Sequence, residues 1–300
     1  MTMEPPQLWE LTRQAWSAII AVYDPIFDRY VERNWLEPWS LGLLLAALSF
    51  EPDAISAARL AMRGPYTADD VYRSRLADLA GRGYLAEAEP GAYRLSQHGR
   101  LEAETVMRDG YQAMTEADPL GPRDAQRLVD LLLRLVRACL DSPPPPDTWS
   151  ISLSYKLMPA VKLRLPTIEQ AITCLSSYRD DAHLAAWRPS GLSPTALECL
   201  TLLWREQAAS LGQLFERLAN RGRPLADYAR SIEELRQRGY LSGLEDALLL
   251  TAAGKAFREQ VEQDTDHLFY APWGCLEESE RSQMAVLLGR LQAGLVGRAS

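Results

Sequence analysis

"RQRGYLSGLEDALLLTAAGK", Arg236 to Lys255, repeats the skeleton of "AGRGYLAEAEPGAYRLSQHGR", Ala80 to Arg100. Each stretch has a basic residue before Gly-Tyr-Leu, then two extended runs around a turn. Each closes on Leu, a hydroxyl residue and a later Gly (Leu95, Ser96, Gly99; Leu250, Thr251, Gly254). Gly83 and Gly239 stand where a helix would end, because glycine enters the left-handed region without a Cβ penalty. Glu89-Pro90-Gly91-Ala92 and Gly243-Leu244-Glu245-Asp246 are turn signals between the runs. Both stretches therefore predict a helix stopped by glycine, then a β-hairpin.

The register extends outward. A shift of 156 places Arg82-Gly83-Tyr84-Leu85 on Arg238-Gly239-Tyr240-Leu241, Tyr72 on Tyr228, Leu76 on Ile232 and Leu79 on Leu235. Upstream, Pro38 falls on Pro194, Leu41 on Leu197, Leu44 on Leu200, Ile55 on Leu211, Met62 on Leu218 and Asp24 on Asp180. Past the hairpin the shift is 155, a one-residue difference at a turn, where indels are tolerated. Matching apolar positions over most of a 150-residue span argue for internal duplication.

The expected order in each unit is a long helix (Leu8 to Arg33; Ile168 to Trp187), then one over Pro38 to Ser49 or Ser193 to Glu206. A short helix follows, Ala54 to Arg63 or Ser210 to Asn220. The next opens on Thr67-Ala68-Asp69-Asp70, a capping-box pattern, or on Pro224. After the hairpin comes a very apolar helix carrying "LVDLLLRLV" (Leu128 to Val136) or "MAVLLGRLQ" (Met284 to Gln292). The fold class is mainly α with small β-ribbons: two winged-helix units plus outer, dimerisation-type helices that pair as a pseudo-dimer within one chain. "DSPPPPD", Asp141 to Asp147, reads as a stiff spacer. "TWSISLSYKLMP", Thr148 to Pro159, alternates with period two and predicts a short strand or extended ledge. The units are 1–141 and 166–300, with a Pro-rich linker and extended segment at 142–165.

Each unit resembles the MarR winged-helix family, through the third and fourth helices, the Arg-Gly-Tyr-Leu junction and the Leu-Ser/Thr-x-x-Gly exit. The resemblance implies a dimer-like tandem chain, a DNA-binding transcriptional regulator, and an effector lodged between the outer helices and the DNA-binding layer. It departs from the family at the wings. The family's Asp-x-Arg motif is reduced to Arg94 in the first wing and absent from the second.

If the fourth helices enter double-stranded DNA, the candidate contacts are Arg221, Arg223, Tyr228, Arg230 and Ser231 in the second unit. Arg73, Arg75 and Arg94 are their counterparts in the first. Charge weakens that reading for the first half: residues 1–147 carry 15 Arg against 22 Asp/Glu, the remainder 17 Lys/Arg against 18 Asp/Glu. A second constellation is "YRDDAHLAAWR", Tyr178 to Arg188, where Arg179, His183 and Trp187 share a helix face and Asp180 adjoins. With Trp204, Asp266, His267, Phe269 and Trp273 it suggests an aromatic-walled site for a small aromatic or amphipathic ligand. The alternative function is a winged-helix scaffold that has lost DNA binding and serves as a small-molecule-binding protein or enzyme.

The remaining features narrow the class. The chain has 300 residues, 47% of them hydrophobic, with a formal net charge of −8, so it can bury real cores. The four cysteines are scattered, and no dedicated histidine spacing supports a metal. No nucleophile elbow, phosphate loop or dinucleotide fingerprint occurs, so no catalytic residue and no cofactor is nominated. No apolar run reaches the roughly 18 residues needed to span a bilayer. The expectation is a cytoplasmic protein without a membrane partner.

Overall fold

The computed structural model describes residues 3–142, 150–160 and 162–299. The first half runs α1 (Pro5–Arg33), α2 (Pro38–Phe50), β1 (Ile55–Ser56), α3 (Ala57–Arg63), α4 (Asp69–Gly81), β2 (Leu85–Glu89), β3 (Ala92–Leu95), α5 (Gln97–Ala117) and α6 (Pro122–Asp141). A short α7 (Ser150–Tyr155) follows. The second half runs α8 (Arg164–Trp187), α9 (Pro194–Trp204), α10 (Leu211–Arg217), α11 (Leu225–Gln237), β4 (Leu241–Leu244), β5 (Ala247–Leu250), α12 (Ala252–Tyr270) and α13 (Glu278–Ala299). The order matches apart from β1. That strand pairs with β3, antiparallel, to make a three-stranded sheet in the first half. In the second half two backbone bonds do similar work: Leu211 N–H to Glu245 O (2.8 Å) and Leu248 N–H to Ala209 O (2.9 Å).

The repeated stretch is a helix stop followed by a hairpin. Gly83 (φ 80°) and Gly239 (φ 73°) are left-handed. Gly83 N–H donates to Ala80 O and Tyr84 N–H to Leu79 O; Gly239 N–H donates to Arg236 O and Tyr240 N–H to Leu235 O. These paired bonds are a Schellman motif, which satisfies the last carbonyls of α4 and α11. The hydroxyl at the hairpin exit then works twice. Ser96 Oγ donates to Gly83 O (2.6 Å) and accepts from Gly99 N–H, while Thr251 Oγ1 donates to Gly239 O (2.7 Å) and accepts from Gly254 N–H. It ties the stop to the next helix and caps that helix. The closing Gly is required because a Cβ at Gly99 or Gly254 would collide with the carbonyl oxygen of Tyr84 or Tyr240. The arginines of the motif hold the turn upstream: Arg82 Nη1 donates to Trp35 O (2.8 Å), and Arg238 donates to Ser190 O (3.0 Å) and Gly191 O (2.9 Å).

Buried apolar side chains gather in three clusters among the described residues. One, with Leu44, Ile55, Leu76 and Leu79, fills the short-helix unit of the first half. A second, with Leu197, Leu200, Leu214, Tyr228, Ile232 and Leu235, fills that of the second. The third joins the halves through Leu8, Ile19, Leu131, Leu135, Ile168, Leu175, Leu288 and Leu291. Here α1 packs on α13 and α6 on α8. Trp9 meets Phe269 (centroids 4.9 Å) and Trp273 (6.3 Å) across the halves. The rim is ionic: Arg127 and Arg134 reach Glu280, and Arg290 reaches Asp124 (2.5 Å).

Local structure departs from expectation in several places. Ser150 to Tyr155 is a helical turn, not a strand. Buried Asp181 accepts from the Ser150 and Ile151 amides (3.0 and 3.1 Å), which nucleates the turn. Two of its serines, Ser150 and Ser154, are buried too, with Ser154 Oγ 2.6 Å from Ser177 Oγ, while Ser152 is exposed. Thr148, Trp149 and the spacer from Pro143 to Asp147 lie outside the described residues. The capping box at Thr67 does not form; Ala68 is the N-cap of α4, without a side-chain bond. Between each hairpin and the last helix a further long helix intervenes (α5, α12), partly polar and easily hidden in sequence.

Candidate functional site

The candidate groove-reading residues have divergent fates. Tyr228 is fully buried, its hydroxyl donating to Leu218 O (3.1 Å), and Ser231 is buried at 4% exposure, so neither presents a surface group. Arg221 donates through Nε and Nη2 to Glu198 Oε1 (2.8 and 2.5 Å). Arg223 donates to Tyr66 O (2.9 Å) and Pro65 O (3.1 Å) of the first half. Arg75 lies over the Trp39 ring (5.1 Å). Arg73 is exposed but paired with Asp69 (3.7 Å) and Asp70 (3.3 Å). Arg94 is exposed on β3. Arg230 has a side chain 73% exposed and reaches Asp227 (2.5 Å). The second hairpin presents Leu244 and Leu249, 74% and 61% exposed, where phosphate contacts would need cations.

The arginines turned inward make a clasp. The turn before α4 abuts the turn before α11: Ala68 N–H donates to Arg221 O (2.9 Å), and Arg221 lies over Tyr66 (5.7 Å). Arg188 adds a bond to Met62 O (2.8 Å), and Arg63 reaches Ser177 Oγ (3.1 Å). Sequence spacing had no way to expose this, since the partners lie 114 to 158 residues apart.

Beside the clasp is a cavity of about 300 Å³ between α8, α9 and α12, bordered by Tyr66 and Arg221. It brings Arg179, Asp180 and His183 together. Asp266 holds Arg179 (2.8 Å), so it supports the wall. Trp187 lies behind, 6.3 Å from Tyr66, and Trp204 sits under the Arg258 guanidinium (5.0 Å). Phe269 and Trp273 are buried in the shared core and do not line the cavity, and His267 is exposed. The lining is thus polar rather than aromatic-walled, because the tryptophans and Phe269 are taken up by packing. Arg258, Glu262, Glu198, Leu197, Thr201, Thr265 and Arg205 complete it; none of them was a candidate from sequence. The one available signal was the i,i+4 pair Arg258–Glu262 on α12.

Four arginines face three carboxylates across this lining. Burial, with Arg258 alongside, depresses His183 to about 4, so the ring is neutral near pH 7. The Thr265 hydroxyl donates to Val261 O (2.7 Å), so His183 Nδ1, 3.2 Å from Thr265 Oγ1, carries the proton and leaves Nε2 an acceptor. Burial raises Asp180 and Glu198. Burial also raises Glu262, but Arg258, His183 and Arg179 together outweigh it and the net shift is downward. Arg258 is 2% exposed and its Nη1 has no protein partner; Glu198 Oε2 is likewise buried and unpartnered. Such groups cost free energy when nothing polar meets them; both lie within the wall rather than on its surface. Among the described residues no cluster of His, Cys, Asp and Glu has the makeup of a metal site, and no helix is long and apolar enough to cross a membrane.

Against known proteins, residues 158–299 match the model of a helix-turn-helix family. No curated protein and no solved structure matches the chain. The matched span contains α9 to α11, the hairpin and both long helices after it, along with most of the cavity. A helix-turn-helix domain, of the kind that suggests DNA-binding regulation, thus occupies the second half of the chain.

Proposed function

We propose that this chain is a ligand-responsive transcriptional regulator of MarR type, a tandem of two winged-helix units paired within one polypeptide. One observation carries the reading. The polar cavity is walled by Tyr66 and Arg221, residues of the turns that lead into α4 and α11. A molecule bound there touches both entry turns, so occupancy and the placement of the two fourth helices are joined. The cavity's chemistry favours a polar, charged effector rather than an aromatic or amphipathic one.

The test is fluorescence anisotropy with a random-sequence duplex. Binding at low salt that weakens steeply as salt rises supports a regulator. Arg230→Glu should cost at least tenfold in affinity and Arg73→Glu less than threefold, because Arg73 is already matched by two aspartates (order-of-magnitude figures).

A second reading is favoured by the clasp itself: a winged-helix scaffold that binds small molecules and not DNA. Helices that enter successive major grooves sit roughly 34 Å apart. Helices α4 and α11 have 13 residues each, and their entry turns are in contact. At about 20 Å per helix their midpoints fall short of that spacing. Absence of salt-dependent duplex binding selects this second reading.

A further inference from the structure

The first half has a cavity of its own, about 330 Å³, between α1, α2, α5 and α8. It sits where the repeat register puts the counterpart of the polar cavity. Arg179, His183, Glu198, Thr201, Glu262 and Thr265 correspond, at shifts of 156 or 155, to Tyr23, Phe27, Gly42, Leu45, Met107 and Gly110. At these six positions each charged or hydroxyl residue of the one is aromatic, apolar or glycine in the other, apart from the phenol of Tyr23, while Asp180 and Arg205 fall on Asp24 and Ser49.

The lining also carries Ser49, Arg63, Ser154, Gln170 and Thr173, and one carboxylate stands out among them. Glu169 enters it from α8, in the opposite half, at 8% exposure. Its Oε1 accepts from Trp16 Nε1 (3.1 Å), Tyr23 OH (3.2 Å) and Thr173 Oγ1 (3.0 Å), all neutral donors. No donor among the described residues reaches Oε2. Arg63 also borders the cavity, but its guanidinium is directed to Ser177 (3.1 Å) and Asp180 (3.9 Å). Burial raises the Glu169 carboxyl, opposed by the three hydrogen bonds. A buried carboxylate without a cationic partner is unfavourable by itself, and a cation supplied from outside would complete it. The rings of Trp16, Tyr23, Phe27 and Tyr111 offer faces that attract a cation and pack an aryl group. The volume lies at the small end of ligand pockets.

We infer that this cavity is a second ligand site, distinct from the polar one, and that it takes a small arylalkylammonium compound, its amine on Glu169 and its ring among the aromatics. The inference does not depend on whether the chain binds DNA.

Isothermal titration calorimetry of the full chain with tryptamine and phenethylamine tests it, with 3-phenylpropionate as the matched acid. The amines should bind at least tenfold tighter than the acid. Glu169→Gln, nearly isosteric and able to keep acceptor bonds, should erase that preference. Gly42→Leu should hinder binding, because Gly42 lines the cavity and a Cβ there meets nothing within 4 Å, so open space takes the added bulk. Thermal melts of both variants check that they fold. No amine binding, equal or tighter binding of the acid, or amine affinity within twofold of wild type in a folded Glu169→Gln or Gly42→Leu variant would overturn the proposal. The last result would place the amine elsewhere, and the acid's preference would assign the cavity to Arg63.

Discussion

His183 shows how much one side chain's surroundings decide. On its own it is a pH-responsive group; between Arg258, Arg179 and Arg205, and removed from water, it stays neutral down to about 4. In the unfolded chain it takes its proton near the ordinary 6.5. Between those values the unfolded state binds more protons. Stability from this residue is therefore full above about 6.5 and is lost progressively as pH falls toward 4. The total reaches roughly 3 kcal/mol. His183→Gln should flatten the pH dependence of urea unfolding in that window. A variant curve parallel to that of wild type would show that the imidazole is not held neutral. The i,i+4 spacing put Arg179 and His183 on one face correctly, and both line the cavity. The depression itself depends first on burial and then on Arg258, 75 positions away on another helix, and no spacing rule reaches that far.

At the scale of elements, the recurring stretch is a unit in which a helix stop, a hairpin and a helix start are wired together by backbone bonds. This predicts a ranking of glycine substitutions. Gly239→Ala leaves room for its methyl group but strains a left-handed backbone, at a cost of about 1 kcal/mol. Gly254→Ala drives a methyl into the Tyr240 carbonyl and should cost about 3 kcal/mol or more, because backbone on both sides has to move. Thermal or urea unfolding reads both; equal losses would mean that the contact at Gly254 relaxes freely. These elements were legible in sequence because their determinants are local: a glycine, a hydroxyl, a turn. The segment after the proline run was misread because alternation of Ser with Ile, Leu and Tyr signals a strand only when one face stays wet. Here Ser150, Ile151, Leu153 and Ser154 are all buried, and Asp181 from α8 supplies the cap.

For the whole molecule, the outer layer is the decisive feature. Leu128, Leu132, Leu135 and Val136 of α6 are fully buried in a cluster completed by α8 and α13, so neither half closes its own outer core. Residues 1–142 expressed alone should self-associate or fail to fold, measured by size-exclusion chromatography with light scattering. A well-folded monomer would refute the shared core. The same layer delivers Glu169 from the second half into the cavity of the first, and the clasp brings Tyr66 of the first half to the cavity of the second. Each cavity is completed by the other half, so ligand binding at either site would be felt by both.

The amino-acid order alone determined the short helices, the hairpins and their recurring order, but not α5, α7 or α12, because glycine stops, hairpin turns and apolar spacing act within a few residues. It also named Arg179, Asp180 and His183, which share one helix. Only the tertiary structure decided what those elements do together. Arg221 and Arg223, exposed cations by sequence, were turned inward once the two entry turns met and Glu198 and the Pro65 and Tyr66 carbonyls offered them acceptors. Tyr228 and Ser231 went into the core because α11 buries that face against α9. Whether a charged or aromatic side chain reads a groove, walls a cavity or locks two halves depends on which distant partner arrives beside it, and chain spacing carries no record of that.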